Sequence, residues 1–236
     1  MATVVLLRHA RSSANNAGVL AGRSEGVLLD ETGQRQAAGL VGRLAGLPVR
    51  SVVVSPLTRC GQTVAPLVAE LGLSPVVEPG LAEVDYGSWT GKAIRDLVEE
   101  PLWKVVQRHP SAAVFPDGEG LAGVQARAVA AVRAHDARVE AEFGERALWL
   151  VCSHGDVIKA ILADALGQHL DSFQRIVVDP ASVSVVRYTA TRPFVLRMND
   201  CGGDLGGVVP AEPEAGQAPE DATVGGSTGA PACEGR

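Results

Sequence analysis

The sequence predicts an α/β fold: a three-layer sandwich with a mostly parallel central sheet, helices on both faces and an antiparallel edge strand. Three observations carry this. Short apolar runs alternate with segments of helical periodicity along residues 3–199, the pattern of strand–helix–strand units. The first run, Thr3-Val4-Val5-Leu6-Leu7, breaks off into Arg8-His9 and a polar string. Open α/β sheets place their ligands at that edge. The last two apolar runs are separated only by Ala190-Thr191-Arg192, a hairpin spacing that leaves no room for a crossover helix.

In chain order, the strands are expected at 3–8, 50–55, 75–78, 147–153, 182–189 and 193–198, and the helices at 33–46, 58–71, 92–99, 101–108, 120–143 and 156–166. Helix 120–143 is the clearest, because Leu121, Val124, Ala128, Ala131 and Val132 recur at helical spacing and Gly144 ends it. Pro66 is expected to kink or divide helix 58–71.

One domain over residues 1–202 accounts for all of these elements. Residues 203–236 are a low-complexity tail, rich in Gly and Pro and without periodicity, and are expected to be disordered. The tail region from residue 201 holds six acids against Arg236, which is five of the six net negative charges; residues 1–200 stand at −1. The acidic balance therefore says little about partners. No basic stripe with interleaved aromatics suggests nucleic acid. No apolar run reaches the ~20 residues of a membrane span, and the first is too short for a secretory signal. A cytoplasmic setting is the expectation. The four cysteines, Cys60, Cys152, Cys201 and Cys233, show no zinc-site spacing and are expected to be free thiols.

Four segments carry chemistry, each at an expected strand end: Leu7-Arg8-His9; Ser55-Pro56-Leu57-Thr58-Arg59 through Thr63; Leu81-Ala82-Glu83 through Gly91; and Val151-Cys152-Ser153-His154-Gly155. Neighbouring strands would bring two arginines, two histidines and a glutamate together. Two guanidiniums can bracket a phosphoryl group in fork geometry. His154-Gly155 opens a helix whose free amides add to that site. A neutral imidazole can attack a phosphate dianion that would repel an anionic nucleophile. A carboxylate must then protonate the leaving oxygen and later activate water. Glu83 is the candidate, with Asp85 two positions on as its competitor. No metal or other cofactor is called for. Taken singly, His9 or His154 would be read as structural; the four segments together outweigh that. Trp89 reads as packing, and His109 and His135 as solvated helix residues. Lys92, Arg95, Lys104 and Arg108 could line the mouth or form a solvated face.

These motifs resemble those of the histidine phosphatase superfamily, the phosphoglycerate mutase-like fold. The family's Arg-His-Gly-x-Thr-x-x-Asn opening appears as Arg8, His9, Ser12 and Asn15, its Gly-x-x-Gln-Ala as Gly33 through Ala37, and its Ser-x-Leu-x-Arg-x-x-x-Thr as Ser55 through Thr63. The Leu-x-Glu-x-x-x-Gly-x-Trp-x-Gly pattern is complete from Leu81 to Gly91, and Pro116-Asp117-Gly118-Glu119 adds to the set. The resemblance spans about residues 3–199. It implies that His9 becomes the phosphohistidine, that Arg8, Arg59 and His154 form the phosphate pocket, and that Glu83 is the acid/base. It also implies that Asn15 adds a donor and that Gly22 lends a backbone amide near the substrate, with Gly155 a further phosphate-binding position.

Ala10 replaces the family's usual glycine, which is tolerable if φ is negative there. Ala21 stands where Ser or Thr is common, and Gly120 where Ser is usual. Phosphatase, mutase and non-catalytic phospho-ligand binding all share the constellation. The mutases of the family carry an arginine pair in a long insertion, whereas only 24 residues without such a pair separate Gly91 from Pro116. That favours hydrolysis of a small phosphorylated metabolite. Homo-oligomerisation is left open by the sequence.

Overall fold

The computed structural model describes residues 2–203. The tail expected to be disordered lies, from residue 204 on, outside the described residues. Six strands form one sheet: β1 (Thr3–Arg8), β2 (Val49–Val54), β3 (Val76–Val77), β4 (Leu148–Ser153), β5 (Val183–Arg187) and β6 (Phe194–Asp200), in the spatial order β3-β2-β4-β1-β5-β6. The pairs β2–β3, β2–β4 and β1–β4 are parallel, whereas β5 runs antiparallel to both β1 and β6. The reversed strand is thus one position in from the edge, and β6 points the same way as the parallel set.

Strand pleating explains the three layers. Val4 and Leu6 of β1, with Trp149 and Val151 of β4, bury one face of the sheet. They pack under α6 (Leu121–Phe143) and α7 (Gly155–Ala165). Val5 and Leu7, with Val52, Val54, Leu150 and Cys152, bury the other face against α2 (Glu31–Leu44) and α3 (Thr58–Leu71). The shorter helices α1 (Ser13–Asn16), α4 (Ile94–Leu97) and α5 (Pro101–Arg108) lie in the connections. Helix 92–99 is thereby shortened to one turn, and strand 75–78 to a two-residue edge. Pro66 does not divide α3. The proline is half-buried and Gln62, whose carbonyl it cannot serve, is exposed. Cys60 and Cys152 are buried free thiols, whereas Cys201, expected to be free, is disulfide-bonded. No helix among the described residues is long and apolar enough to cross a membrane.

The register levels the strand ends. Arg8 pairs with Ser153, and Cys152 pairs with both Leu7 and Val54. Because β4 lies between β1 and β2, the residue after it emerges between the residues after those two strands.

The loop after β1 is gripped by the start of α2. Asp30 caps that helix by accepting from Gly33 N and also takes Arg11 Nε at 2.7 Å, while Gln36 Oε1 accepts from Arg11 N at 2.9 Å. Gly33 is required by close approach: a Cβ there would lie 1.9 Å from Arg11 O. Gly33→Ala is expected to destabilise the protein by about 3 kcal/mol, the upper end of overpacking costs. That corresponds to a fall in Tm of roughly 6–12 °C for a domain of this size. An unchanged Tm by calorimetry would show that the loop shifts freely.

Candidate active site

Arg8 ends β1 and is fully buried, donating from Nη1 to Val178 O at 2.7 Å. His9 follows, its amide held by Ser153 O at 2.9 Å. Its Nδ1 lies 2.8 Å from Ala10 O, which can only accept, so Nδ1 carries the proton and Nε2 the lone pair. Ala10, standing where glycine was the family's choice, is absent from the residues with positive φ. It is fully buried in a small cluster with Leu29, Ala37 and Ala181, where a methyl fits.

Arg59 lies in the first turn of α3 and reaches across the pocket. Its Nε donates to His9 Nε2 at 3.3 Å, and its Nη2 to Gly22 O at 2.9 Å. The same Nη2 lies 3.2 Å from His154 Nδ1. Thr63, one turn further along, ties this helix to β1: its hydroxyl donates to Arg59 O at 2.7 Å and accepts from Ala10 N at 2.9 Å.

His154 is the N-cap residue of α7, fully buried, with Nε2 2.7 Å from Ser55 Oγ. The His9 and His154 rings meet edge to face at 5.2 Å. Gly155 begins α7, so the unpaired amides and the positive end of the helix dipole face the same space. Glu83 completes the group, its Oε2 3.8 Å from His154 Nδ1 and its Oε1 accepting from Val84 N at 2.9 Å. Asp85, the competitor, instead caps the turn at Gly87.

All five groups expected at the strand ends therefore converge: Arg8, His9, Arg59, Glu83 and His154. Two other residues named from the sequence make local contacts through their oxygens. Asn15 Oδ1 accepts from Ser12 N and Oγ, at 3.0 and 2.8 Å, in the capping box of α1. Gly22 presents its carbonyl to Arg59, at φ +50°, where a Cβ would also crowd Thr90 Oγ1 at 2.9 Å.

The electrostatics separate the two histidines from the acid. Burial, reinforced by Arg59 and Arg8, holds the His9 imidazole well below its usual pKa, and burial with Arg59 does the same for His154. Both rings are neutral at pH 7. Burial, followed by the negative charge of Asp156, pushes Glu83 up to about 7 against the pull of Arg59 and Arg8. The pocket thus holds two neutral imidazoles beside a carboxyl group that can still carry a proton near neutrality.

Sequence reasoning missed the support beneath these groups. Asp156 is buried, accepts from Tyr86 Oη at 2.8 Å and lies 3.6 Å from the buried Lys159 ammonium. His135, expected to be solvated, is buried, 2.8 Å from Glu78 and with its ring tilted against that of Trp149 at 6.0 Å. The signal was available, since position 135 continues the buried series 121, 124, 128, 132 and 139 of α6. Trp89 packs between Trp103 and Phe115, as expected. Lys92, Arg95, Lys104 and Arg108 are all exposed.

Two histidines, two arginines and a carboxyl group thus share one end of the sheet. The histidine phosphatase superfamily (branch 1) profile matches residues 4–201, and the chain belongs to that family. Phosphoserine phosphatase 1 of Hydrogenobacter thermophilus is 29% identical to it over 205 residues, 84% of this chain and 92% of that protein. A "Probable phosphoglycerate mutase" of Yersinia pestis is 30% identical over 190 residues, 80% of this chain and 86% of its own. Mycobacterial relatives 31% identical to it are longer, the chain spanning 54% of them. Among solved structures, the mycobacterial glucosyl-3-phosphoglycerate phosphatase has a similar fold. Its TM-score is 0.74 at 23% identity, covering 84% of this chain and 98% of that one. The chain is a histidine phosphatase.

Proposed function

We propose that the protein hydrolyses a small phosphorylated metabolite of the cytoplasm through a phosphohistidine on His9, without a metal ion. The observation that carries this reading is the His9 ring. Its Nδ1 proton is held by Ala10 O, and its Nε2 lone pair faces Arg59 inside the ring of cationic and amide donors.

The phosphate dianion binds between Arg8, Arg59, His154 and the amides at Gly155. Asn15 supplies a further donor from its amide nitrogen, and Gly22 one from its backbone. The His9 Nε2 lone pair attacks phosphorus, the N–P bond forms, and the ester P–O bond breaks with its electron pair on the leaving oxygen. Glu83 delivers its proton there, and the alcohol departs. A water molecule then gives a proton to the Glu83 carboxylate as its oxygen attacks phosphorus. The N–P bond breaks, its electrons return to Nε2, and inorganic phosphate leaves. One water is consumed per ester, and Glu83 is protonated again.

A mutase would return the phosphoryl group to a retained acceptor. Similarity to the Yersinia protein raises that reading. The short α4–α5 segment between Gly91 and Pro116, lacking an Arg-Arg pair, weighs against it.

The test is p-nitrophenyl phosphate hydrolysis in excess chelator, followed by a panel of phosphomonoesters scored for both phosphate release and isomerisation. Chelator-resistant phosphate release supports the reading. Isomerisation of a phosphoglycerate without phosphate release would replace it with the mutase. Saturable phosphoester binding without turnover would replace it with a binding protein.

A further inference from the structure

Three charged side chains outside the pocket converge on the main chain around Glu83, two on its carbonyl and one on the amide of Asp85. Arg127, in the second turn of α6, donates from Nη2 to Glu83 O at 3.2 Å and from Nη1 to Gly80 O and Ala82 O, both at 2.8 Å. Arg23, just past Gly22, donates from Nε to the same Glu83 oxygen at 2.8 Å. Glu119 joins the two guanidiniums. It takes Arg127 Nε and Nη2 in a two-pronged pair at 3.0 and 2.9 Å, and its Oε2 lies 2.8 Å from Arg23 Nη2. That same Oε2 accepts from Asp85 N at 3.0 Å, two residues beyond Glu83.

The segment so held has no strand partner. Glu83 lies between two short 3₁₀ turns, Pro79–Leu81 and Gly87–Trp89, so no ladder fixes its backbone. Four guanidinium contacts to carbonyl oxygens take the place of one. Placing a general acid within about half an ångström of its target requires such support. One of the supports, Arg23, is also the most exposed of the three, at 37%. It comes from the loop that supplies Gly22 to Arg59, so the same loop braces both the phosphate side and the acid side of the pocket.

We propose that Arg127, Arg23 and Glu119 are positioning residues for Glu83, and that they determine how well the enzyme expels poor leaving groups. This rests on the phosphatase reading above. A nitrophenolate leaves without a proton, whereas an alkoxide needs one delivered as its bond breaks. Displacing Glu83 therefore costs more on alkyl than on aryl phosphates. A brace that only stabilises the fold costs the same on both.

The experiment compares kcat/KM, which reports steps up to phosphohistidine formation, for p-nitrophenyl phosphate and β-glycerophosphate. Glu83→Gln sets the reference, with an expected loss on the alkyl ester ~10²-fold greater than on the aryl ester. Glu119→Gln and Arg23→Gln are expected to show a selective alkyl loss of at least ~10-fold, with partial recovery in Arg23→Lys, which keeps one donor. Should Glu119→Gln fail to fold, Arg23→Gln still decides, since it leaves every Arg127 bond in place. Equal losses on the two esters in a folded Arg23→Gln overturn the positioning role while leaving the phosphatase reading intact. Absence of wild-type turnover on both esters overturns the two together.

Discussion

His9→Ala is expected to abolish phosphomonoester hydrolysis, lowering kcat by ~10³-fold or more, because it removes the nitrogen that forms the covalent intermediate. The ring is packed between Arg59 and His154, and its removal leaves both arginines and the helix amides in place. Phosphate binding is therefore expected to survive, so that product inhibition or orthovanadate affinity measured by calorimetry changes far less than kcat. Wild-type protein given ³²P-labelled substrate and quenched with alkaline detergent should carry alkali-stable, acid-labile label that the variant lacks. Equal turnover by both proteins would eliminate His9 as nucleophile.

Glu83→Gln is expected to lower activity on alkyl phosphates by ~10²–10⁴-fold while making the protein more stable at high pH. Glu83 has a folded-state pKa of about 7 against an ordinary 4.5, raised by burial and by Asp156. A carboxyl whose pKa is raised on folding contributes stability that is fully present below 4.5 and lost as pH rises through 7. Above pH 7 the wild type therefore carries a buried, ionised carboxylate at a cost of about 3 kcal/mol. Glutamine removes that ionisation. The variant's Tm should exceed that of wild type by roughly 6–12 °C at pH 8, with the gain vanishing near pH 4.5. The same ionisation predicts that wild-type kcat/KM on alkyl esters falls as pH rises through about 7. A Tm difference independent of pH would mean that Glu83 titrates as an ordinary surface acid.

The legible part of this molecule was its strand ends. Arg8-His9, Ser153-His154 and Ser55 through Arg59 could be placed together from sequence, because an apolar run stopping at a polar pair marks the end of a buried parallel strand. The spatial order that interleaves them, with β4 between β1 and β2, is a matter of which strands pair, and no single run encodes it. The brace on Glu83 was illegible for a different reason. Arg127 and Arg23 bond to carbonyl oxygens, which every residue possesses, so nothing in the sequence distinguishes their targets. His135 was misread because its polarity was given more weight than its place on the buried stripe of α6. Asn15 followed the motif in position, yet its side-chain oxygen went to a local helix cap with Ser12.

The central place of β4 also governs how the molecule is made. Its neighbours end at residues 8 and 54, whereas β4 ends at 153. On a ribosome adding about 5–20 residues per second, some 5–20 s pass between completion of β2 and completion of the strand that joins it to β1. During that interval the first two strands hold their apolar faces and unpaired edges without the partner that unites them. A truncation before residue 153 cuts into the strand that pairs with both β1 and β2 and removes His154 with it.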